Sequence, residues 1–296
     1  MEYVILNNGV KMPKLGFGVY QISKNECKQA VLDAIKIGYR LIDTAQSYFN
    51  EEELGEAISE CDVPRESLFI TTKVWIDNYG YEKCKKSVLE SMKKLKVDYL
   101  DLILLHQPFA DYYGAYKALE ELYKKGKVRA IGVSNFYPDR LSDICLFGRE
   151  IIPQVNQVET NPLNSQEKAQ KNMEKYGVQI EAWAPFGEGR NNMFSNPVLK
   201  EIGCKHNKSI AQIILRWLMQ RNVVALAKSV HRERMKENFN IFDFTLSDKE
   251  MNEINSLDSS SSLFFSHTDP SMVEWFDKMI GERKHNHDNI KEKKNW

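Results

Sequence analysis

Residues 99–136, YLDLILLHQPFADYYGAYKALEELYKKGKVRAIGVSNF, contain two apolar segments separated by one amphipathic segment. The first, YLDLILLH, and the last, VRAIGVSNF, are short and almost continuously apolar, which is typical of strands covered on both faces. Between them, Ala115, Leu119 and Leu122 recur at helical spacing before Gly126, a residue type that often ends helices. A strand, a helix and a second strand in this order predict two parallel strands joined by a crossover helix.

The rest of the chain repeats this alternation. Ser209 and Gln212, for example, form a predicted capping box before a helical stripe at Ile213, Ile214 and Trp217. Counting along the chain gives eight strand candidates, each followed by a helix. The strand candidates are LGFGVYQ from Leu15, LIDTA from Leu41, LFITTKVW from Leu68, YLDLILLH from Tyr99, VRAIGVSNF from Val128, PQVNQVE from Pro153, VQIEAWAP from Val178 and VVALAKS from Val223.

Eight parallel strands with crossover helices predict an α/β fold, the closed (β/α)8 TIM barrel. Before it, residues 3–6 and 10–12 flank Asn8 and Gly9, the pair favoured in type I′ hairpin turns. We expect this hairpin to close the N-terminal end of the barrel. The rival architecture is an open doubly wound sheet. Its dinucleotide-binding fingerprint fails, because Gln21 stands where the third glycine should be.

The composition indicates one domain and a small-molecule function. Residues 1–280 are predicted to form the barrel domain, and the polar residues 281–296 a loose, charged C-terminal tail. The 41 basic and 41 acidic residues cancel, which removes the electrostatic motive for binding nucleic acid or an anionic membrane. Five scattered cysteines predict no disulfide framework. With no apolar run long enough for a signal peptide or a membrane span, we expect a cytoplasmic protein.

Polar or aromatic side chains interrupt nearly every apolar run at the end of the predicted strand. In a barrel of this type, the C-terminal ends of the strands carry the working residues. Each side chain alone could serve a turn or satisfy backbone groups, so their convergence on one rim is what favours a functional site. The set comprises Asp43, Tyr48, Lys73, His106, Ser134, Asn135, Gln157, Trp183, Lys228 and Ser229.

Four of these residues can act together to protonate a carbonyl oxygen. Tyrosine has a reference pKa of about 10, and the ammonium group of Lys73 would lower the pKa of Tyr48 by stabilising the phenolate. Asp43 can hold Lys73 in place and keep it protonated, while His106 can orient the same oxygen. Tyr48 is therefore the predicted general acid. This chemistry needs no metal, and the sequence contains no HExxH zinc motif.

A carbonyl oxygen that gains negative charge requires a nucleophile at its carbon. Trp183 offers a flat face on which a nicotinamide ring could stack, and Asn135 and Gln157 could hydrogen-bond its carboxamide. These residues indicate hydride transfer from a nicotinamide cofactor. Groups suited to its phosphates follow in the segment KSVHRERMKEN, namely Lys228, Ser229 and Arg234.

The motifs, in this order, resemble those of the aldo-keto reductase superfamily from the hairpin to about residue 270. GYRLIDTAQSYFNEEELGEAI, ITTKVW and LILLHQP are similar to the segments that carry the family's catalytic residues. The resemblance implies an NADPH-dependent reductase whose catalytic residues are Asp43, Tyr48, Lys73 and His106. GVSNF, VNQVETNP, AWAPFG and AKSVHRERMKEN resemble the cofactor-binding segments. The cofactor-binding residues implied in this way are Ser134, Asn135, Gln157, Trp183, Lys228, Ser229, Arg234, Glu237 and Asn238.

Within the superfamily the chain is most similar to the bacterial-type 2,5-diketo-gluconate and glyoxal or methylglyoxal reductases. The resemblance implies a monomer that reduces small aldehydes, α-dicarbonyls or keto-sugar acids. Tyr20, Trp75 and Phe109 are expected to shape the substrate pocket, with Phe264 or Phe265 from the C-terminal segment.

The chain departs from the family pattern at three places. His231 stands where many relatives have an arginine near the adenosine ribose, which leaves NADH as an alternative cofactor. Gln107 replaces a tryptophan that is frequent after the catalytic histidine, and it makes that pocket wall more polar. SHTDP, which starts at Ser266, stands where close relatives often have DHRDP.

Two other functions remain open from the residues alone. A Schiff-base lyase would use Lys73 as a nucleophile, although pairing with Asp43 would keep the amine protonated. A non-enzymatic module would bind the nicotinamide cofactor tightly and regulate a partner without turnover.

Overall fold

Eight parallel strands form a closed barrel in the computed structural model of the chain, which describes residues 1–147 and 149–293, with side chains up to residue 282. Each strand pairs with the next along the chain, and the last strand returns to pair with the first. The predicted (β/α)8 barrel is therefore confirmed. The barrel strands are β3 (Leu15–Gly18), β4 (Leu41–Asp43), β5 (Phe69–Val74), β6 (Leu102–Leu105), β7 (Ile131–Ser134), β8 (Val155–Glu159), β9 (Gln179–Trp183) and β10 (Val224–Ala227).

Helices follow the strands at the predicted places. Ser209 and Gln212 form the predicted capping box at the start of a helix that continues to Gln220. The helices are α1 (Lys24–Ile37), α2 (Glu51–Glu60), α3 (Tyr81–Lys94), α4 (Tyr112–Lys124), α5 (Pro138–Leu146), α6 (Glu167–Lys175), α7 (Pro197–His206), α8 (Ile210–Gln220), α9 (Arg232–Phe239), α10 (Asp248–Asn255) and α11 (Pro270–Lys293). No helix in the described ranges is both long and apolar enough to cross a membrane.

A two-stranded hairpin, β1 (Tyr3–Ile5) and β2 (Lys11–Pro13), precedes the barrel. Its buried residues Val4, Leu6 and Met12 share one apolar cluster with residues that begin the barrel strands, among them Leu41 and Val224. Because these residues mark the N-terminal ends of the strands, the hairpin closes that end of the barrel, as predicted.

The hairpin turn differs from the predicted type I′ turn. Leu6 N donates to Val10 O at 2.9 Å, so three residues rather than two connect the strands. A type I′ turn requires positive φ at two central residues, whereas only Gly9 adopts a positive φ, of 84°. Gly9 N also donates to Leu6 O at 2.8 Å. The prediction is wrong because Asn7 belongs to the loop, which makes Gly9 its last residue.

The inside of the barrel changes from apolar to polar along its axis. Alternate residues of a strand point to the same face, so Asp43 shares a face with Leu41, and Lys73 with Phe69. Leu41 and Phe69 belong to the apolar cluster at the hairpin end. Asp43 and Lys73 are buried two and four residues further along their strands. Strand alternation therefore brings charged groups together at the C-terminal end.

The chain divides into two units, residues 1–263 and 264–296. The first contains the hairpin, the barrel and helices α1 to α10. The second contains α11, whose backbone is helical through residue 293, where the sequence analysis expects a loose tail. After Gly281 the segment has no further glycine or proline and several lysines and glutamates, which favour a helix. Residues 294–296 lie outside the described residues, and a domain boundary at residue 280 stays a prediction.

Candidate active site

Tyr48 is positioned by the short connection between β4 and α2. Residues Gln46–Tyr48 form one turn of 3-10 helix, and Phe49 then adopts a left-handed φ of 59°. Asn50 directly precedes α2, but its side chain does not cap the helix. Instead it accepts from Thr44 Oγ1 at 2.8 Å and donates to Val19 O at 2.9 Å. Asn50 thereby ties the Tyr48 turn to the loop that follows β3.

Lys73 connects the predicted catalytic residues. Its Nζ donates to Asp43 Oδ1 at 2.5 Å, to Thr44 O at 3.1 Å and to the Tyr48 hydroxyl at 3.3 Å. An ammonium group has three protons, and these three acceptors engage all of them. Since the Tyr48 oxygen accepts from Lys73, the phenolic proton of Tyr48 must point elsewhere. The phenolic proton of Tyr48 can therefore be donated to a group other than Lys73.

The charge of Lys73 is maintained by its carboxylate partner. Burial would lower the pKa of Lys73, but the negative charge of Asp43 and the hydrogen bond to it raise that pKa above its ordinary value. Burial also raises the pKa of Asp43, against the attraction of Lys73. Lys73 is therefore an ammonium group at neutral pH, as predicted. This state opposes the Schiff-base alternative, because a nucleophilic amine must be neutral.

The pKa of Tyr48 changes in the opposite direction to the one expected from the sequence. Burial raises it to about 12, while the charge of Lys73 acts to lower it and that of Asp43 to raise it. Lys73 thus has the predicted effect, but burial outweighs it. The reason is that the phenolate loses more solvation in this environment than one ammonium group restores. Tyr48 consequently keeps its proton at neutral pH, as a proton donor must.

His106 lies beside Tyr48, with the two ring centroids 5.8 Å apart. The ring of Trp75 also lies beside the imidazole, at a centroid distance of 5.1 Å. Ser47 Oγ lies 3.4 Å from His106 Nδ1. Ser47 did not belong to the predicted site, since a serine in a loop has no pattern that indicates this contact.

The residues predicted to bind nicotinamide form one connected group. Trp183 Nε1 donates to Asn135 Oδ1 at 2.9 Å, and Asn135 Nδ2 donates to His106 O at 3.0 Å. Asn135 directly follows β7 and has a positive φ of 65°, which turns its side chain out of the strand pattern. Ser134 Oγ donates to Gln157 O at 2.9 Å. Asn135 thereby links the indole of Trp183 to the backbone of His106.

Gln157 lies between two buried carboxyl groups. Its Nε2 donates to Asp43 Oδ2 at 3.0 Å and to Glu181 Oε2 at 2.9 Å. The Gln157 side-chain oxygen accepts no hydrogen bond from any described residue, so it is available to the two N–H donors of a carboxamide. With the ring of Trp183 nearby, these residues fit a nicotinamide. Glu181 was not among the site residues predicted from the sequence, because a lone glutamate within a strand is usually surface-exposed.

The predicted phosphate-binding residues follow β10. Lys228 and Arg234 are exposed and form no ion pair with any residue of the described ranges, so their charges are available to an anion. Ser229 is buried, and its Oγ accepts from His231 N at 3.0 Å just before α9 begins. The residues therefore fit a phosphorylated cofactor. The remaining predicted residues lie on α9: Glu237, which is exposed, and Asn238, which is buried.

Two predicted pocket residues lie next to the rings of Tyr48 and His106. The ring of Tyr20 is 4.9 Å from that of Tyr48, and Trp75 contacts His106 as described above. The pocket roles of Phe109, Phe264 and Phe265 stay predictions.

Gln46 is a further residue that the sequence analysis missed. Its Oε1 accepts from Trp75 N and from Asn78 Nδ2, both at 2.9 Å, and its Nε2 donates to Ser91 Oγ at 3.1 Å. Gln46 therefore connects two segments through hydrogen bonds: the turn that contains Tyr48 and the loop that contains Trp75.

The chain belongs to the aldo/keto reductase family, whose family model matches residues 14–259. Over 258 residues it is 48% identical to the glyoxal reductase of Bacillus subtilis, an alignment that covers 86% of this chain and 92% of that protein.

Solved structures agree with this assignment. An aldo-keto reductase enzyme from a Medee basin deep-sea metagenome library has a TM-score of 0.86 and 40% identity, with 90% of this chain and 98% of that chain covered. A Bombyx mori aldo-keto reductase in complex with NADP has a TM-score of 0.84 and 33% identity, with 89% of this chain and 95% of that chain covered. The predicted family is confirmed, and with it the class of enzyme, an NADPH-dependent oxidoreductase that reduces carbonyl compounds.

Proposed function

We propose that this enzyme reduces small α-dicarbonyl compounds and related aldehydes through Asp43, Tyr48, Lys73 and His106. The observation that carries the proposal is the hydrogen-bonded chain from Asp43 through Lys73 to the Tyr48 hydroxyl. This hydrogen-bonded chain leaves Tyr48 as a protonated phenol beside His106, at the end of the barrel where enzymes of this fold have their active sites.

Each catalytic residue has one task in this mechanism. Tyr48 and His106 donate hydrogen bonds to the substrate oxygen and hold the carbonyl group in place. When bound, the reduced nicotinamide supplies the hydride. As negative charge develops on the oxygen, Tyr48 transfers its proton to it, and the ammonium group of Lys73 stabilises the resulting phenolate. Asp43 keeps Lys73 charged and oriented throughout.

Residues that the barrel brings together would hold NADPH. Trp183 would offer its face to the nicotinamide, and the Gln157 oxygen would accept from the carboxamide. Lys228 and Arg234, which are exposed and unpaired among the described residues, would neutralise the phosphates. His231 replaces the arginine that many relatives have, so NADH is a weaker second donor.

The wall of the site beyond His106 supports a dicarbonyl substrate. Gln107 stands there instead of an apolar tryptophan, and its side chain is close to Asn135, with Oε1 3.4 Å from Nδ2. The Tyr79 hydroxyl fixes the backbone of Gln107 by donating to its main-chain carbonyl oxygen at 2.8 Å and accepting from its main-chain N–H at 3.0 Å. The side-chain amide carried by this fixed backbone can hydrogen-bond a second carbonyl oxygen, which a simple aldehyde lacks. The glyoxal reductase relative supports the same substrate class.

We also propose that the enzyme works as a cytoplasmic monomer. Sedimentation of the purified chain at micromolar concentration tests the oligomeric state, and a dimer would contradict it.

The decisive experiment follows NADPH and NADH consumption with glyoxal, methylglyoxal, 2,5-diketo-gluconate and a simple aldehyde. We expect the highest kcat/KM for an α-dicarbonyl with NADPH. Tyr48→Phe should lower kcat by about 10²–10⁴-fold, the usual contribution of a general acid. Tyr3→Phe is the matched control, because Tyr3 lies on the hairpin at the other end of the barrel.

Three outcomes would contradict the proposal. An unchanged rate in Tyr48→Phe would exclude Tyr48 as the proton donor. Trapping of a borohydride-reducible substrate adduct on Lys73 would favour the lyase. Tight NADPH binding without turnover of any carbonyl would favour the regulatory module.

A further inference from the structure

Glu181 is a second buried carboxyl group of the barrel interior, outside the catalytic set proposed above. It lies on β9 and is fully buried. Its Oε2 accepts from Gln157 Nε2 at 2.9 Å, while Oε1 has no hydrogen-bond partner in the described part of the chain. Burial of an ionised carboxylate without a direct cationic partner is costly, so this environment favours the neutral acid.

Gln157 couples Glu181 to the catalytic pair. The same Nε2 that donates to Glu181 also donates to Asp43 Oδ2 at 3.0 Å. An amide nitrogen carries two protons, so the two carboxyl groups engage both of them. This arrangement fixes which end of the Gln157 amide faces the barrel interior. The Gln157 oxygen is thereby left as an acceptor on the other side.

We infer that Glu181 is a further positioning residue of the carbonyl reduction, which in its neutral form holds Gln157 against Asp43 and on ionising weakens Tyr48 as the proton donor. The inference rests on the proposed function, because it assigns Glu181 a task in the same site. Glu181 does not touch the reacting atoms, and it acts through Gln157, Asp43 and Lys73.

The charges around Glu181 give the direction of the effect. Burial and, to a smaller extent, the negative charge of Asp43 raise the pKa of Glu181, while Gln157 and Lys73 lower it, and the net pKa is about 8. On its other side β10 contributes Val224, which carries no charge. Glu181 therefore loses its proton as the pH rises through about 8.

Ionisation of Glu181 affects Tyr48 through Lys73. With Glu181 neutral, Lys73 balances one carboxylate, that of Asp43, and its charge also stabilises the developing Tyr48 phenolate. With Glu181 ionised, a second negative charge lies near the same ammonium group. Its field opposes that of Lys73 at the phenolate, so Tyr48 becomes a weaker acid.

The test compares the pH profile of kcat for carbonyl reduction in the wild-type enzyme, Glu181→Gln and Glu159→Gln. Glutamine has the shape of the neutral acid and cannot ionise. We expect kcat of the wild type to fall roughly tenfold above pH 8, a loss within the contribution of a general acid, and this step to be absent from Glu181→Gln. Glu159→Gln is the matched control, because Glu159 is equally buried but bonds Leu263 N and Ser262 Oγ. An unchanged step in Glu181→Gln, or its loss in Glu159→Gln, would overturn the inference.

A second measurement needs no activity. Infrared difference spectroscopy detects the carbonyl stretch of a neutral carboxyl group. The wild type should show this band at neutral pH and lose it near pH 8, and Glu181→Gln should lack that titration. If Glu181 is already ionised at neutral pH, the inference fails even when the enzyme reduces carbonyls. If no carbonyl is reduced, the proposed function fails. The positioning role of Glu181 then fails as well, whether or not Glu181 is neutral.

Discussion

The ammonium nitrogen of Lys73 lies 2.5 Å from Asp43 Oδ1, with both side chains buried inside the barrel. Asp43→Asn keeps the shape of the side chain but removes its charge. The pKa of Lys73 should then fall, because Asp43 is what raises it against the effect of burial. We expect kcat to fall by about 10²-fold as the phenolate loses support.

The same substitution should also destabilise the fold. Removal of one partner of a buried charge pair costs about 3–5 kcal/mol, so the free energy of unfolding in urea should decrease by about that amount. Asp33→Asn on α1 is the matched control, since Asp33 accepts a hydrogen bond from Gln29 of the same helix and from no other residue that the structure describes. A fully active and fully stable Asp43→Asn would contradict the assignment.

Gln46 should matter for substrate binding more than for proton transfer. Gln46→Ala removes the acceptor for Trp75 N and Asn78 Nδ2, which frees the loop that lies against His106. Small displacements of the groups that position a substrate lower the reaction rate by up to about 10²-fold. We therefore expect roughly a tenfold rise in KM for the carbonyl and a smaller change in kcat. Steady-state kinetics measure both. The control is Gln29→Ala on α1, and equal effects of the two substitutions would refute the role of Gln46.

His231 should decide the preference between the two cofactors. It is exposed directly before α9, close in sequence to Lys228 and Arg234, which form no ion pair in the described part of the chain. His231→Arg adds a permanent charge and a fork of donors suited to a phosphate, worth about 1.5–3 kcal/mol. The ratio of kcat/KM for NADPH to that for NADH should therefore rise by roughly tenfold or more. Arg234→Ala should lower it, and an unchanged ratio in both variants would place the 2′-phosphate elsewhere.

Glu181 should make the stability of the fold depend on pH. Its pKa in the folded protein is about 8, above the ordinary value of 4.5. Below pH 4.5 both folded and unfolded chains bind the proton, whereas between 4.5 and 8 only the folded chain does. The stability that Glu181 contributes at low pH is thus lost as the pH rises through this window. Glu181→Gln should become progressively more stable than the wild type up to about pH 8. A difference in melting temperature that is independent of pH would contradict this prediction.

The architecture could be predicted because it depends on periodicity. The near-continuous apolar runs around Leu102 and Ile131 indicate strands covered on both faces, and helical stripes between them require parallel pairing. Such patterns survive in a single sequence, since each strand carries its own signal. The hairpin turn was mispredicted because one residue, Asn7, decides between a two-residue and a three-residue connection.

The candidate site could be predicted only in part. Asp43, Lys73 and His106 end apolar strands, and a polar side chain at that position is visible in the sequence. Gln46 and Glu181 carry no such signal. Gln46 acts across a distance of 29 residues in the chain, and Glu181 acts through a glutamine 24 residues before it. Only the closure of the barrel brings these pairs together.

The sequence by itself therefore determined the order of strands and helices and the family, and it predicted the residues that take part in proton donation. It did not determine the balance of forces on them. Lys73 was expected to lower the pKa of Tyr48, and the tertiary structure showed that burial raises it to about 12 instead. Residue types and spacing follow from the chain, whereas desolvation depends on how much of each group the folded barrel removes from water.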